Sequence, residues 1–297
     1  MCIRDSDAAL QAKQQAERER SSAQRAERAA TAQAELSGFL MMEMAPSRSN
    51  NELALLLDRA RRMFDAQYRD DPALRGSVLV SMGSLLNGRG DITRAHALWA
   101  EAEPLLRDNA QWSALAELQC SRATELARDG LLNEAKAKIA ESKRLLARDG
   151  APSSNTHLHC LTDEAVVERT AGNASRAATL LQQALDGERR AGRERRADFV
   201  QLLNTLARSH SDAGHYREAV HATREAADLI GQLGLERTGH LATSRALEAI
   251  AMRDGGQPLA ALALLQARRE VDGKARLSER VQHATTLLRL QRFDDLM

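Results

Sequence analysis

Few residues in this sequence have the types and spacing that chemistry requires. His157, His159 and Cys160 form the closest cluster of metal-ligand side chains. A structural zinc ion takes four such ligands, and no fourth lies nearby. The adjoining Ser/Asn/Thr residues 153–156 are instead typical of a helix start. We therefore expect no metal ion and no cofactor.

Motifs of the known catalytic classes are also missing. The sequence has no glycine-rich phosphate loop followed by Lys-Ser/Thr, no His-Glu-x-x-His, no calcium-loop pattern and no Gly-x-Ser-x-Gly. His210, His215 and His221 surround one predicted turn without an i, i+4 pair, so we expect solvated or partly packed imidazoles. This chain is therefore not expected to be an enzyme.

Two cysteines, Cys120 and Cys160, fall in segments that are predicted to be helical. Buried cysteine often behaves as a small hydrophobic residue. We therefore expect buried free thiols in preference to a disulfide bond or metal ligands. This expectation leaves the redox compartment open.

Composition excludes several classes of function. The 297 residues are 43% hydrophobic, 28% charged and 3% aromatic, which suits stacked helices better than a sheet. A formal net charge of +1 argues against nucleic-acid binding. No segment approaches 18 uncharged apolar residues, so we expect no membrane span in this chain.

The elements that position every other residue follow from one repeated spacing, a glycine followed five residues later by an alanine. It occurs at Gly90/Ala95, Gly130/Ala135, Gly172/Ala177, Gly214/Ala219 and Gly256/Ala261. Successive glycines lie 40, 42, 42 and 42 residues apart. Apolar residues recur at three- and four-residue steps on both sides of each glycine, which predicts two amphipathic helices joined by a turn. A glycine there can adopt the left-handed conformation that ends the first helix.

Small residues mark the expected contact between the two helices of each repeat. Twelve residues before each alanine stands another small residue: Gly83, Ala123, Ala165, Ala207 and Ala249. We expect these residues to face the alanines, so that the helices approach closely. Seven residues after the alanine, three repeats carry a further alanine: Ala102, Ala184 and Ala226.

This pattern of small residue, turn glycine and two alanines resembles the tetratricopeptide repeat family, over about residues 76–273. The period exceeds the usual 34 residues of the family and is closer to that of its long-helix variants. The resemblance implies an all-α fold, a right-handed α-solenoid of five stacked antiparallel helix pairs. Residues 274–297 are expected to form a capping helix or a truncated sixth repeat.

The residues before the repeats divide into three parts. Residues 1–6 share no composition with the rest, and we expect them to be a non-native leader, with the natural protein continuing upstream. Residues 7–45 are Ala-rich, charged and almost free of helix breakers, which predicts a long helix, either a solvated stalk or an alanine-seamed coiled coil. Residues 46–75 are expected to form a loop through Asn51 and a capping helix, and Asp71-Pro72 should open the first repeat.

This order of segments resembles the C-terminal half of bacterial membrane-bound serine/threonine protein kinases. The matching residues are Phe39-Leu40, Leu56-Leu57-Asp58-Arg59 and Asp71-Pro72-Ala73-Leu74. The resemblance implies a missing catalytic domain and a sensing or docking region on the extracytoplasmic face of the inner membrane. The alternative is the repeat region of a cytoplasmic transcriptional regulator or other signalling protein.

In the tetratricopeptide register, the concave face of the first helices presents about one polar side chain per repeat. These predicted groove residues are Asn87, Arg128, Arg169, Asn204, Arg208 and Arg253. Guanidinium groups bind carboxylates through paired, charge-assisted hydrogen bonds. The sequence therefore predicts a protein or peptide partner rich in carboxylates. The alternative is that these arginines are simply solvated.

Overall fold

The computed structural model describes residues 50–88, 90–149, 154–235 and 239–272, together with the helical residues Lys13, Ala16, Arg20 and Gln24. Residues 50–272 in these ranges form eleven α-helices and contain no strand. The predicted leader, most of the predicted N-terminal stalk and the predicted terminal helix 274–297 lie outside the described residues. None of the described helices is both long enough and apolar enough to cross a membrane.

One helix precedes five helix pairs. Helix α1 spans Asn50–Gln67, so it begins two residues earlier than the predicted loop through Asn51 implied. The pairs are α2 (Pro72–Gly88) with α3 (Ile92–Asp108), α4 (Trp112–Arg128) with α5 (Leu132–Asp149), α6 (Ser154–Thr170) with α7 (Ala174–Arg190), α8 (Ala197–Asp212) with α9 (Tyr216–Gln232), and α10 (Gly239–Asp254) with α11 (Pro258–Asp272).

The turn inside each pair has the predicted left-handed glycine. Gly90, Gly130, Gly172, Gly214 and Gly256 have φ angles between 77° and 84°. In four of these turns the next residue donates its backbone N–H back to the first helix, as His215 does to the carbonyl of His210 at 2.8 Å. This bond satisfies a carbonyl that the helix end would leave unpaired.

The first pair begins where the sequence predicts. Asp71 precedes α2, and its carboxylate accepts a hydrogen bond from the N–H of Leu74 at 3.0 Å. Pro72 occupies the first helical position, where its missing N–H costs nothing. The predicted cap is therefore confirmed.

The helices are grouped into two compact units. The first unit contains the residues up to 126 and residues 133–160, and the second contains residues 127–132 and those from 161 onwards. In the first unit, Phe64 of α1 is buried in one apolar core with Trp99 and Leu106 of α3. Helix α1 thereby covers the apolar face of the first pair, as a capping helix must.

Small residues at the predicted contacts are buried in both units. Ala95, Ala135, Ala177, Ala219 and Ala261 are completely buried, and Ala123, Ala165, Ala207 and Ala249 are at most 1% exposed. In the second unit α8 packs against α7, α9 and α10. The predicted all-α fold, in which consecutive helices pack in pairs as in an α-solenoid, is confirmed.

Candidate partner-binding face

In the first unit, the first helices of neighbouring pairs lie side by side. The hydroxyl oxygens of Ser84 on α2 and Ser121 on α4 are 2.9 Å apart. One residue earlier on α4, Cys120 forms a disulfide bond with Cys160 on α6, with the Cα atoms 5.4 Å apart. First helices are thus joined laterally by both a hydrogen bond and a covalent bond.

The expectation of two free thiols at Cys120 and Cys160 is wrong. Their separation of 40 residues is close to the repeat period, so lateral packing of first helices brings the two cysteines to neighbouring positions. A Cα distance of 5.4 Å lies in the usual range for disulfides. The match between cysteine separation and repeat length was the sequence signal that could have revealed the bond.

In the second unit, two predicted groove residues connect first helices to each other. A guanidinium nitrogen of Arg169 on α6 lies 3.0 Å from a carboxylate oxygen of Asp212 on α8. The Ser244 hydroxyl on α10 donates a hydrogen bond to the side-chain oxygen of Asn204 on α8 at 2.9 Å. These side chains hold neighbouring repeats together, and Asn204 is itself buried.

Two further groove residues are also engaged or buried. The Arg253 guanidinium pairs with Asp254 at 2.9 Å, and its side chain is only 13% exposed. Asn87 lies in the first unit and is 4% exposed, and its side-chain oxygen has no hydrogen-bond partner within the described residues. Neither residue is presented to solvent as the sequence-based register predicted.

Arg128 and Arg208 are the predicted groove residues that stay available. Both belong to the second unit and are exposed. Neither has a hydrogen bond or ion pair to another residue that the structure describes. The predicted row of six polar side chains is thereby reduced to two free guanidinium groups.

The histidine clusters differ in their surroundings. Cys160 is bonded to Cys120, which removes the thiolate from the His157/His159/Cys160 cluster.

The rings of His210 and His215 lie 5.8 Å apart. Burial and then the proximity of His215 lower the pKa of His210, against the opposing influence of Glu218. In the described ranges, no group of three His, Cys, Asp or Glu side chains is arranged to hold a metal ion.

Sequence reasoning missed a pocket in the second unit. It has a volume of about 510 Å³ and lies between the α7–α8 loop, the first turn of α8 and helix α9. Its acidic and basic residues come from the loop and from a second helix of a pair, so neither the repeat motif nor the predicted concave face includes them.

Comparison with known proteins supports the architecture. No protein-family model and no curated protein matches this sequence. Among solved structures, the chain is similar to the crystal structure of BtubC (BKLC) from P. vanneervenii, with a TM-score of 0.58 and 16% sequence identity over 77% of this chain and 95% of that one. At this identity the likeness concerns the fold alone.

Proposed function

We propose that this chain is a non-catalytic protein-binding scaffold of tetratricopeptide-type repeats, and that it forms the C-terminal sensing or docking region of a bacterial membrane-bound serine/threonine protein kinase. The observation that carries the proposal is the repeated helix pair, turned at a left-handed glycine and joined laterally through its first helix. Stacked pairs of this kind create extended surfaces that bind other proteins. Phosphoryl transfer belongs to a catalytic domain outside this chain.

The disulfide bond supports the extracytoplasmic location over the cytoplasmic alternative. Cys120 is fully buried and Cys160 is 6% exposed, and the bond joins two repeats. Disulfides of this structural kind persist in oxidising compartments such as the bacterial periplasm, whereas cytosolic thiols are kept reduced. A soluble cytoplasmic regulator would not be expected to depend on such a bond.

Arg128 and Arg208 supply the binding chemistry of the proposal. Their exposed guanidinium groups have no partner among the described residues, so a carboxylate can bind them without displacing an existing ion pair. Such charge-assisted pairs are shorter and stronger than neutral hydrogen bonds. The proposed partner is therefore a protein segment rich in aspartate or glutamate.

Binding of a short fluorescein-labelled peptide of alternating glutamate and alanine tests this chemistry. Fluorescence anisotropy should show that Arg208→Glu weakens binding by about tenfold or more, the effect of losing one charge-assisted hydrogen bond. Arg217→Glu is the matched control, because Arg217 is exposed on the second helix α9 and the charge change is identical. Equal losses in the two variants would reflect net charge alone and would contradict the proposed site.

Genomic DNA that encodes the region upstream of Asp7 tests the kinase assignment. The proposal expects a protein kinase domain followed by about 20 consecutive apolar residues. A DNA-binding domain or an immediate start codon would overturn the assignment and favour the cytoplasmic regulator instead.

A further inference from the structure

The pocket of the second unit has the dimensions of a ligand site. Its volume of about 510 Å³ falls within the usual range for small-molecule pockets. Phe199 of α8 and Leu229 of α9 contribute to its lining, and they are 3% and 8% exposed. These two side chains give the pocket an apolar floor on which an aliphatic stem can lie.

Glu194, in the α7–α8 loop, presents the unsatisfied group of this pocket. One of its carboxylate oxygens is buried and accepts no hydrogen bond from any described residue. A buried carboxylate oxygen without a donor is costly, because it has lost water and gained nothing in exchange. That oxygen is itself closed to a ligand, so a cation would compensate the buried charge by pairing with the other oxygen of the same carboxylate.

Two other charged residues of the lining already have partners. The Glu225 carboxylate lies 2.6 Å from the guanidinium of Arg189. Arg224 is paired with the buried carboxylate of Glu248 at 2.8 Å. A ligand would therefore meet the lining residues that are not engaged in such pairs.

Those unengaged residues favour a cation. Asp228 and His221 are exposed on α9, and neither forms an ion pair with a described residue. Arg195 is also exposed and without an ion pair in the described ranges. The unpaired lining residues therefore include two carboxylates, Glu194 and Asp228, and one guanidinium group. One oxygen of the Glu194 carboxylate is buried without a partner in the described ranges, and an anionic ligand in the pocket would be repelled by this uncompensated negative charge. Charge and burial therefore both select a positive ligand group.

We propose that this pocket binds a guanidinium or primary ammonium group on an aliphatic stem. The charged group donates to Glu194, with Asp228 as the second carboxylate, while the stem lies on Phe199 and Leu229. An arginine or lysine side chain of another protein has this chemistry, and so has a small molecule that carries the same group. The site is independent of the proposed function, because Arg128 and Arg208 lie on first helices and do not line it.

Calorimetric titration of the full chain with capped amino acids tests the proposal. N-acetylarginine methylamide and N-acetyllysine methylamide should bind, whereas the citrulline analogue, which has the same shape without the charge, should bind about tenfold more weakly or not at all. Glu194→Gln should reduce arginine binding by a similar factor. Glu134→Gln is the matched control, because Glu134 is exposed in the first unit and removes the same charge.

A substitution at Asp228 and an arginine-containing peptide complete the test. Asp228→Asn changes an exposed residue, so it should weaken arginine binding even if the Glu194 variant misfolds, which circular dichroism would reveal. Tighter binding of an arginine-containing peptide than of the capped amino acid would assign the ligand to a protein, and equal affinity would assign it to a small molecule. Equal binding of the citrulline analogue, preference for N-acetylglutamate methylamide, or no binding of any cation would overturn the proposal.

Discussion

Gly83 and Trp99 fit together so closely that a single methyl group at position 83 would overlap the indole ring. An ideal Cβ atom at Gly83 would lie 2.4 Å from Nε1 and 2.6 Å from Cδ1 of Trp99. The ring is completely buried, and its N–H donates to the carbonyl of Val80 at 3.4 Å. The small residue at position 83 therefore makes room for an aromatic ring one turn beyond Ala95.

Gly83→Ala should destabilise the protein by about 1–3 kcal/mol, the usual cost of overpacking a filled core. Trp99 cannot move aside freely, because its ring is buried and hydrogen-bonded. Urea denaturation followed by tryptophan fluorescence measures the change in the free energy of unfolding.

Gly187→Ala provides the control for that measurement. Gly187 lies within α7, and a Cβ atom there would meet nothing within 4 Å. Alanine is the better helix former, so this variant should gain about 0.5–1 kcal/mol. Equal effects at the two positions would show that the tight contact at Gly83 is not significant.

The repeat period was enough to predict which small residues are buried. It was not enough to predict which side chains pack against them. The spacing of Gly90 and Ala95 was enough to place a turn and a buried small residue, because helical periodicity reports which face is apolar. It carries no information about which side chain fills the space on the opposite helix. Trp99 is one of two tryptophans in the chain, and its role became evident only from the packing.

The disulfide bond should contribute substantially to stability. For a separation of 40 residues, the loss of loop-closure entropy in the unfolded chain corresponds to about 4 kcal/mol. The double variant Cys120→Ala/Cys160→Ala should therefore unfold at a lower urea concentration than the oxidised protein. Dithiothreitol should destabilise the parent but leave the double variant unchanged.

Alkylation followed by mass spectrometry tests the bond directly. Of the three cysteines in the chain, Cys120 and Cys160 should resist alkylation in the unfolded, non-reduced protein and react after reduction. Modification of either cysteine without reductant would contradict the disulfide.

Ala110 marks a second series of turns that the sequence analysis overlooked. Its φ angle is +53°, and Gly192 and Gly234, which also follow second helices, have φ angles of 65° and 66°. The first turn between pairs thus has alanine in the left-handed conformation, where a Cβ atom costs about 1–2 kcal/mol. Ala110 and Gly234 have no alanine five residues later, and the Gly192/Ala197 pair falls between two glycines of the 42-residue series, so the repeat spacing does not indicate these turns.

Ala110→Gly should stabilise the protein by about 0.5–1 kcal/mol, since glycine removes the steric cost but gains entropy in the unfolded chain. Ala100→Gly is the control, because Ala100 is exposed within α3 and the same substitution there should cost about 1 kcal/mol. Thermal unfolding by differential scanning calorimetry distinguishes the two. A lower melting temperature for Ala110→Gly would contradict the turn geometry.

The predicted groove residues show where sequence reasoning about function ends. Helical register correctly indicated that Arg169 and Asn204 lie on first helices, but it could not show that Asp212 and Ser244 of the next first helices already bind them. Each partner lies on the first helix of the neighbouring repeat. Whether the two side chains are close enough to bind depends on how the repeats stack, which the helical register does not specify. The pocket around Glu194 was missed for a similar reason, since a loop and a second helix form it together.

His210 should make the stability of the second unit depend on pH. Burial and the neighbouring His215 lower its pKa from the ordinary value of about 6.5, and its Nδ1 atom is buried without a hydrogen-bond partner in the described chain. The unfolded chain therefore binds a proton at a higher pH than the folded chain does. The stabilisation is complete above about pH 6.5 and is lost as the pH falls through the lowered pKa of the folded state.

His210→Gln should reduce the fall in the free energy of unfolding between neutral and acidic pH, measured by urea denaturation at a series of pH values. His157→Gln, at an exposed histidine of the first unit, should leave that fall unchanged. A decline of equal steepness in the His210 variant would show that other groups cause it.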